Sequence, residues 1–394
     1  MRHVPTDPLD PSPDVQRHSD LWFDDGDVVL RATTTTAGTR TLFKVDKRFL
    51  ARKSAFFGAT FAVGGGALDT GSEQYEGAPV LDMPGDAAED VEDLLQAVYQ
   101  PQFLFQHVRP RSFDAPLSQR TFPTAYAGAL RLAAKYIFED IHALLIQALR
   151  DAWPTLLQAW DARALMLRIA MQTFVRNHVY DVSPLHPDPI ATIHLATEHD
   201  LPELLPAAYY DLSTITHDFK PDIVLGHPFR WWATLGDLTP EEKIRLLAGR
   251  HALKAYLRAL EDDPFAGHRT HGCRRAEERR REWDPDVSTP ENDELVTGWP
   301  CARGIERWWR GRFEAWGDDV RTDPLEWMRL TGARCEGIDE HDACAWCRTW
   351  FKGHIAWLRE DLWLKLPQIF GLENAVPKGW GTPEVFNYNS ARYT

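Results

Sequence analysis

Cys335, Cys344 and Cys347 form a C-x8-C-x2-C array, with His341 before the closing pair and His354 after it. A structural zinc ion takes four sulfur or imidazole ligands in a tetrahedron, and C-x2-C supplies half of such a set. Cys335, Cys344, Cys347 and His354 are therefore the candidate metal ligands, although Cys335 has no close partner in sequence and the fourth ligand is ambiguous. The same C-x2-C on a helix places two thiols at i and i+3, where they pack as small apolar side chains. Trp346, Trp350, Ile355 and Leu358 around them have the spacing of a helical core. No cofactor is assigned on this basis: a structural zinc and buried free thiols both stand open, with redox chemistry a third reading.

Three other segments carry reactive residue types. His194, Glu198 and His199 read H-x-x-x-E-H, whereas the zinc-enzyme spacings are H-E-x-x-H and H-x-x-E-H. His194 and Glu198 share a helix face, but His199 turns about 100° away, so the segment reads as a packed helix and turn. Residues 305–313 interleave aromatics with arginine, as single-strand binders do. Yet Ile305, Trp309, Phe313 and Trp316 step by 4, 4 and 3, which is a core helix face. The run from Arg274 to Arg281 carries Glu277 and Glu278, which makes it a solvated, self-paired helix. No nucleophile elbow, phosphate loop, paired dinucleotide fingerprint or kinase set is present. The chain is not expected to be an enzyme.

Composition narrows the partners. The chain has 394 residues, 44% hydrophobic and 26% charged, with a net charge of −14. Residues 1–150, 151–262 and 263–394 carry −5, −5 and −4, so no third resembles a polyanion-binding module and no nucleic-acid partner is expected. No uncharged apolar run approaches the roughly 20 residues of a spanning helix, and no membrane partner is expected. The N-terminus lacks a secretory h-region, and five cysteines lie after residue 272 with no glycosylation sequon. Those features point to an intracellular compartment, cytoplasmic or nuclear. Tryptophan is uneven: 11 of 16 follow residue 262.

The elements that must position these residues fall into six stretches. Residues 1–18 are a polar lead-in and 19–150 hold strand patterns followed by helix patterns. Residues 151–262 are helical in periodicity, 263–300 form a loop or linker with one charged helix, and 301–370 are a tryptophan-rich helical region. Residues 371–394 are a loose tail. Within 19–150, Val28, Leu30 and Ala32 alternate on one strand and Phe43 and Val45 on another, joined by a turn at Ala37-Gly38. Leu50, Ser54, Phe57 and Phe61 mark one helical face, ended by Gly64, Gly65 and Gly66. Val80 to Met83 is a short strand closed by Pro84-Gly85. Asp86 is the expected N-cap of the next helix, with Glu89 as its box partner and Val91, Leu94, Leu95 and Val98 on its inner face.

Residues 43–61 resemble the signature of the BTB/POZ domain, roughly F-x-A-H-K-x-x-L-A-x-x-S-x-x-F-x-x-x-F, with Lys47, Leu50, Ser54, Phe57 and Phe61 in register. Asp27-Val28, Val80 to Asp82, Leu94-Leu95 with Tyr99, and the L-A-A-K-Y of residues 132–136 match further family positions in order. Asp46 stands where the family has histidine, and the connection 100–123 is long. These features are similar to the large fungal branch of BTB proteins, in which a helical region follows the domain. The resemblance implies an α+β N-terminal domain, a small three-stranded sheet covered by helices, followed by a mainly α-helical region. It also implies self-association as a homodimer, or an adaptor role toward a further protein partner. In dimeric members a charged interface pocket uses the positions of Asp27 and Lys47. Two other functions stay open: a substrate adaptor of a cullin-based ubiquitin ligase, and a zinc-containing regulatory or nucleic-acid-associated protein.

Overall fold

A computed structural model describes residues 15–35, 38–63, 73–100, 123, 126–177, 187–214, 235–266, 268, 273–276, 278, 299–316 and 323–382. The chain is α+β, a mixed sheet near the N-terminus followed mostly by helices. It divides into two compact units, residues 1–153 with 167–195, and residues 154–166 with 196–394. The triple glycine, the connection 101–122 and residues 279–281 of the arginine run lie outside the described residues.

In the first unit, strands β1 (Val15–Trp22), β2 (Val28–Thr33), β3 (Arg40–Val45), β4 (Gln74–Tyr75) and β5 (Ala78–Ala87) form one sheet in the order β1-β3-β2-β5-β4. The alternating patterns pair as a hairpin, with Val28 opposite Val45 and Thr33 opposite Arg40. Gly38 takes φ +65° in its turn, a conformation that costs a residue with a Cβ. Five strands replace the three expected. β1 begins inside the stretch read as lead-in and buries only Leu21. Backbone pairing to β3, not hydrophobic alternation, holds it, so no apolar period marks it. β4 has only two residues, too few for a period.

Helices α1 (Lys47–Lys53) and α2 (Ala55–Val63) replace the single helical face expected over residues 50–61. Ser54 is extended between them, φ −133° and ψ 123°. Its backbone amide donates to the Leu50 carbonyl at the end of α1, and its hydroxyl accepts from the Phe57 amide at the start of α2 while donating to the Tyr136 carbonyl, so each new helix end is satisfied from the break itself. Asp46 caps α1, its Oδ1 accepting from the Phe49 amide at 2.5 Å. Asp86 is not the N-cap of α3 (Ala88–Tyr99), which is Ala87. β5 runs through Pro84 and Gly85, and the Asp86 carboxylate accepts from Lys135 Nζ at 2.5 Å and from the Tyr136 hydroxyl. The inner face of α3 is as read, with Val91, Leu94, Leu95 and Val98 buried. Helices α4 (Ala127–Lys135) and α5 (Glu139–Ala152) follow, separated by Ile137 at φ 53°.

Helices α6 (Leu157–Asn177) and α7 (Pro189–Glu198) each carry residues of both units. The second unit adds α8 (Leu205–Ser213), α9 (Pro240–Asp262), α10 (Ala302–Trp316), α11 (Pro324–Ala333), α12 (Ala345–Leu364) and α13 (Leu366–Ile369). Thr239 and Glu242 close α9 with a reciprocal capping box. The i, i+4, i+8 face of α10 is buried as Ile305, Trp309 and Phe313. Trp309 and Phe313 pack on Trp327 of α11 with ring centroids 4.8 and 4.3 Å apart, and Trp309 Nε1 donates to the Leu260 carbonyl at 2.8 Å. Arg359 of α12 makes a two-pronged ion pair with Asp161 at 2.6 and 3.0 Å and also donates to the Leu325 carbonyl. The stretch read as a loose tail is packed as far as residue 382. Leu372 and Trp380 are buried, and Trp380 stacks on Trp363 while its Nε1 donates to the Glu203 carbonyl at 2.8 Å. One indole anchors a segment otherwise rich in glycine and proline, which is why periodicity missed it. Among the described residues no helix is long and apolar enough to cross a membrane.

Candidate metal centre

Cys273, Cys301, Cys344 and Cys347 bring their sulfurs within 4.8 Å of one another. Each comes from a chain segment that starts a helix. Cys344 is the N-cap residue of α12, its carbonyl accepting from the Arg348 amide, and Cys347 lies in the first turn. Cys301 directly precedes α10, with its carbonyl accepting from the Ile305 amide. Cys273 precedes a short helical turn at 274–276. Helix starts leave backbone amides without intrahelical partners and carry positive partial charge, which favours sulfur as thiolate.

The loop before α12 is fixed against the other two segments. Gly304 allows the backbone of Asp342 to lie so close that a Cβ there would stand 2.2 Å from its carbonyl oxygen. Arg307 pairs with Asp342 at 3.0 Å. Arg275, two residues after the first ligand, donates to the carbonyls of His341 and Glu340. Arg348 donates to the Ile338 carbonyl at 2.9 Å.

Around the sulfurs, Cys273 Sγ lies 3.6 Å from Cys301 Sγ, the Cys344 amide donates to Cys301 Sγ at 3.3 Å, and Trp299 Nε1 donates to Cys347 Sγ at 3.1 Å. Three of the thiols are buried and Cys344 is half-buried. Cys301 is pushed down to about 5, first because the Cys347 thiol donates to it and then because the Cys344 amide does. Cys347 is pushed up, its proton held on Cys301 and its thiol buried. Burial also raises Cys273. The neighbouring donors thus favour the charged form at Cys301 over the other thiols.

These distances fit a soft metal. With zinc–sulfur bonds of about 2.3 Å, a tetrahedron sets sulfurs about 3.8 Å apart, against 3.6 Å for Cys273 and Cys301 and a ceiling of 4.8 Å for the set. The group contains no carboxylate or imidazole, the donor chemistry of zinc rather than of calcium or magnesium. Among the described residues it is the one grouping of three or more His, Cys, Asp or Glu side chains able to hold a metal.

Of the four ligands proposed from sequence, the structure brings Cys344 and Cys347 together and leaves Cys335 and His354 apart. Cys335 is fully buried, 3.7 Å from the Thr331 carbonyl, and burial pushes it up to about 12. His354 is stacked between Trp350 and Trp357 at 5.1 and 5.5 Å, with ring planes tilted by 6° and 17°. Burial, then the neighbouring His268, pushes it down to about 4. Cys273 and Cys301 take the vacated roles. Cys273 lies in the stretch read as linker and Cys301 directly after it, and the count of five cysteines was the one signal that spare thiols existed. His341 is exposed, with its amide bonded to Asp339. His194 and Glu198 lie on α7 but His199 lies beyond its end, so the three side chains do not share one helix face.

In the first unit, Asp27 and Lys47 do meet, through the Lys47 backbone amide, which donates to Asp27 Oδ1 at 2.6 Å. Asp27 is exposed and Lys47 half-buried. Comparison with known proteins finds no matching family model, no matching curated protein and no matching solved structure.

Proposed function

We propose that this chain is a non-enzymatic protein–protein interaction protein. Its first unit self-associates or acts as an adaptor through a BTB/POZ-like domain. Its second unit is a scaffold held by one structural zinc ion on Cys273, Cys301, Cys344 and Cys347. The observation that supports the reading is the donor set: four thiols lie within 4.8 Å of one another, enough to supply all four ligands of a tetrahedral zinc and leave no position for a substrate or an activated water. A bound zinc ion would supply binding free energy that is folding free energy for the segments it joins.

The interaction role rests on the resemblance and on the order of elements in the first unit. A hairpin is followed by two short helices, a strand parallel to the first hairpin strand and a buried helix. Asp27 and Lys47 stand side by side at the base of that hairpin.

Full-length chain purified with zinc under reducing conditions tests both parts. The expected result is one zinc per chain by elemental analysis and a dimer by sedimentation. Less than half a zinc per chain sinks the metal reading, and a strict monomer at high concentration sinks self-association.

A further inference from the structure

The Cys344 and Cys347 pair differs from the other two ligands in two ways. It occupies the N-cap and the third position of α12, the placement of redox-active C-x-x-C pairs, in which a helix start stabilises the outer thiolate. It also contains the one half-buried residue of the four, since Cys273, Cys301 and Cys347 are buried. Of the four, Cys344 is therefore the residue most open to an attacking molecule from solvent. Its nearest resolving thiol along the chain is Cys347, in the same first turn and within 4.8 Å. Coordination keeps the ligands deprotonated, and thiolate is the form that oxidants attack.

Resting on the zinc reading above, we propose that Cys344 is an oxidation site through which a hydroperoxide releases the metal. The Cys344 thiolate attacks one oxygen of hydrogen peroxide. The O–O bond breaks, sulfenic acid forms on Sγ and hydroxide leaves. The Cys347 thiolate then attacks Cys344 Sγ, the S–S bond forms and a second hydroxide leaves. Two thiolates are oxidised by one electron each and one peroxide is reduced to two hydroxides, which take protons from solvent. The zinc keeps only Cys273 and Cys301 and is released, and those two thiolates are reprotonated.

Cys335 is the internal control, a fifth thiol that is fully buried and outside the cluster. The test treats zinc-loaded full-length chain with hydrogen peroxide, follows zinc with a chromogenic chelator and maps cysteines by alkylation and peptide mass. The expected result is release of the bound zinc together with a Cys344–Cys347 disulfide, an unoxidised Cys335, and recovery on adding thiol and zinc. Cys335→Ser should leave the release rate unchanged, and Cys344→Ser, if it still loads zinc, should slow release roughly tenfold or more. Zinc retained through excess peroxide, release without a disulfide, or a Cys273–Cys301 disulfide in place of the expected one would each overturn the proposal. Elemental analysis before oxidation separates this from failure of the zinc reading: a chain that never loads zinc fails there, before peroxide is added.

Discussion

The indole N–H of Trp299 donates to the sulfur of Cys347 at 3.1 Å, while its ring lies 4.5 Å from that of Phe265 and edge-on to Trp350 at 5.1 Å. The sulfur of a candidate ligand is thereby joined to the aromatic core through one side chain. Outer groups that donate to a metal ligand reduce its charge and hold its direction.

Trp299→Phe keeps the ring contact and removes the donor. The expected result is one metal per chain with affinity lowered roughly 10- to 100-fold. In cobalt-loaded protein the sulfur-to-metal charge-transfer band should move to lower energy, because the sulfur lone pair has lost its hydrogen bond. A mere packing role would leave that band in place, so an unmoved band refutes the donor role.

Gly304→Ala sets a Cβ against the Asp342 carbonyl oxygen at 2.2 Å, a backbone atom that cannot swing aside. Overpacking of this kind costs about 1–3 kcal/mol. A lowered denaturant midpoint together with weaker zinc binding is expected, because Asp342 precedes Cys344 by two residues. An unchanged midpoint would mean that the loop shifts freely.

Stability should fall with acid in a window set by His354. Its folded-state value is near 4, below an unfolded reference of about 6.5. The unfolded chain therefore binds the proton more readily, and stability present above pH 6.5 is lost as pH falls through 4, by up to about 3 kcal/mol. His354→Phe should flatten that part of the profile when urea midpoints are compared between pH 7 and pH 4. A profile of unchanged slope would assign the acid loss to other groups.

Arg359→Ala leaves Asp161 without either of its two guanidinium bonds and the Leu325 carbonyl without its donor. The expected cost is about 2–4 kcal/mol, since Arg359 is nearly buried and the loss includes desolvation of what remains. Arg359→Lys should recover only part, because an ammonium cannot reproduce the fork. Equal midpoints for the wild type and Arg359→Ala would contradict this assignment.

What could be read from the chain alone depended on whether an apolar period accompanied the structure. The hairpin of β2 and β3, the inner face of α3 and the Ile305, Trp309, Phe313 face of α10 all carry such a period. β1 is held by backbone pairing and Trp380 by one buried indole, so neither leaves a period to read. Asp86 carries the type and spacing of an N-cap yet spends its carboxylate on Lys135 and Tyr136, about 50 residues away, a choice only tertiary packing makes. For the site, C-x2-C located half of the ligand set because its two members share one helix turn. The other half depends on chain segments 28 and 43 residues apart in sequence meeting in space, and local spacing carries no record of that. His354, chosen for its chemistry, was drawn into an aromatic stack instead.

That separation gives the four-cysteine cluster a thermodynamic meaning. A metal bound there is a detachable cross-link, closing one loop between Cys273 and Cys301 and another between Cys301 and Cys344. Its effect falls largely on the unfolded chain, whose freedom it restricts, and loop-closure entropy grows only with the logarithm of loop length. Residues inserted between Cys273 and Cys301 should therefore cost little while metal is bound, each doubling of that loop adding about 0.6 kcal/mol. Insertions between those two ligands should leave the scaffold in place provided both thiols, Arg275 and Trp299 are kept.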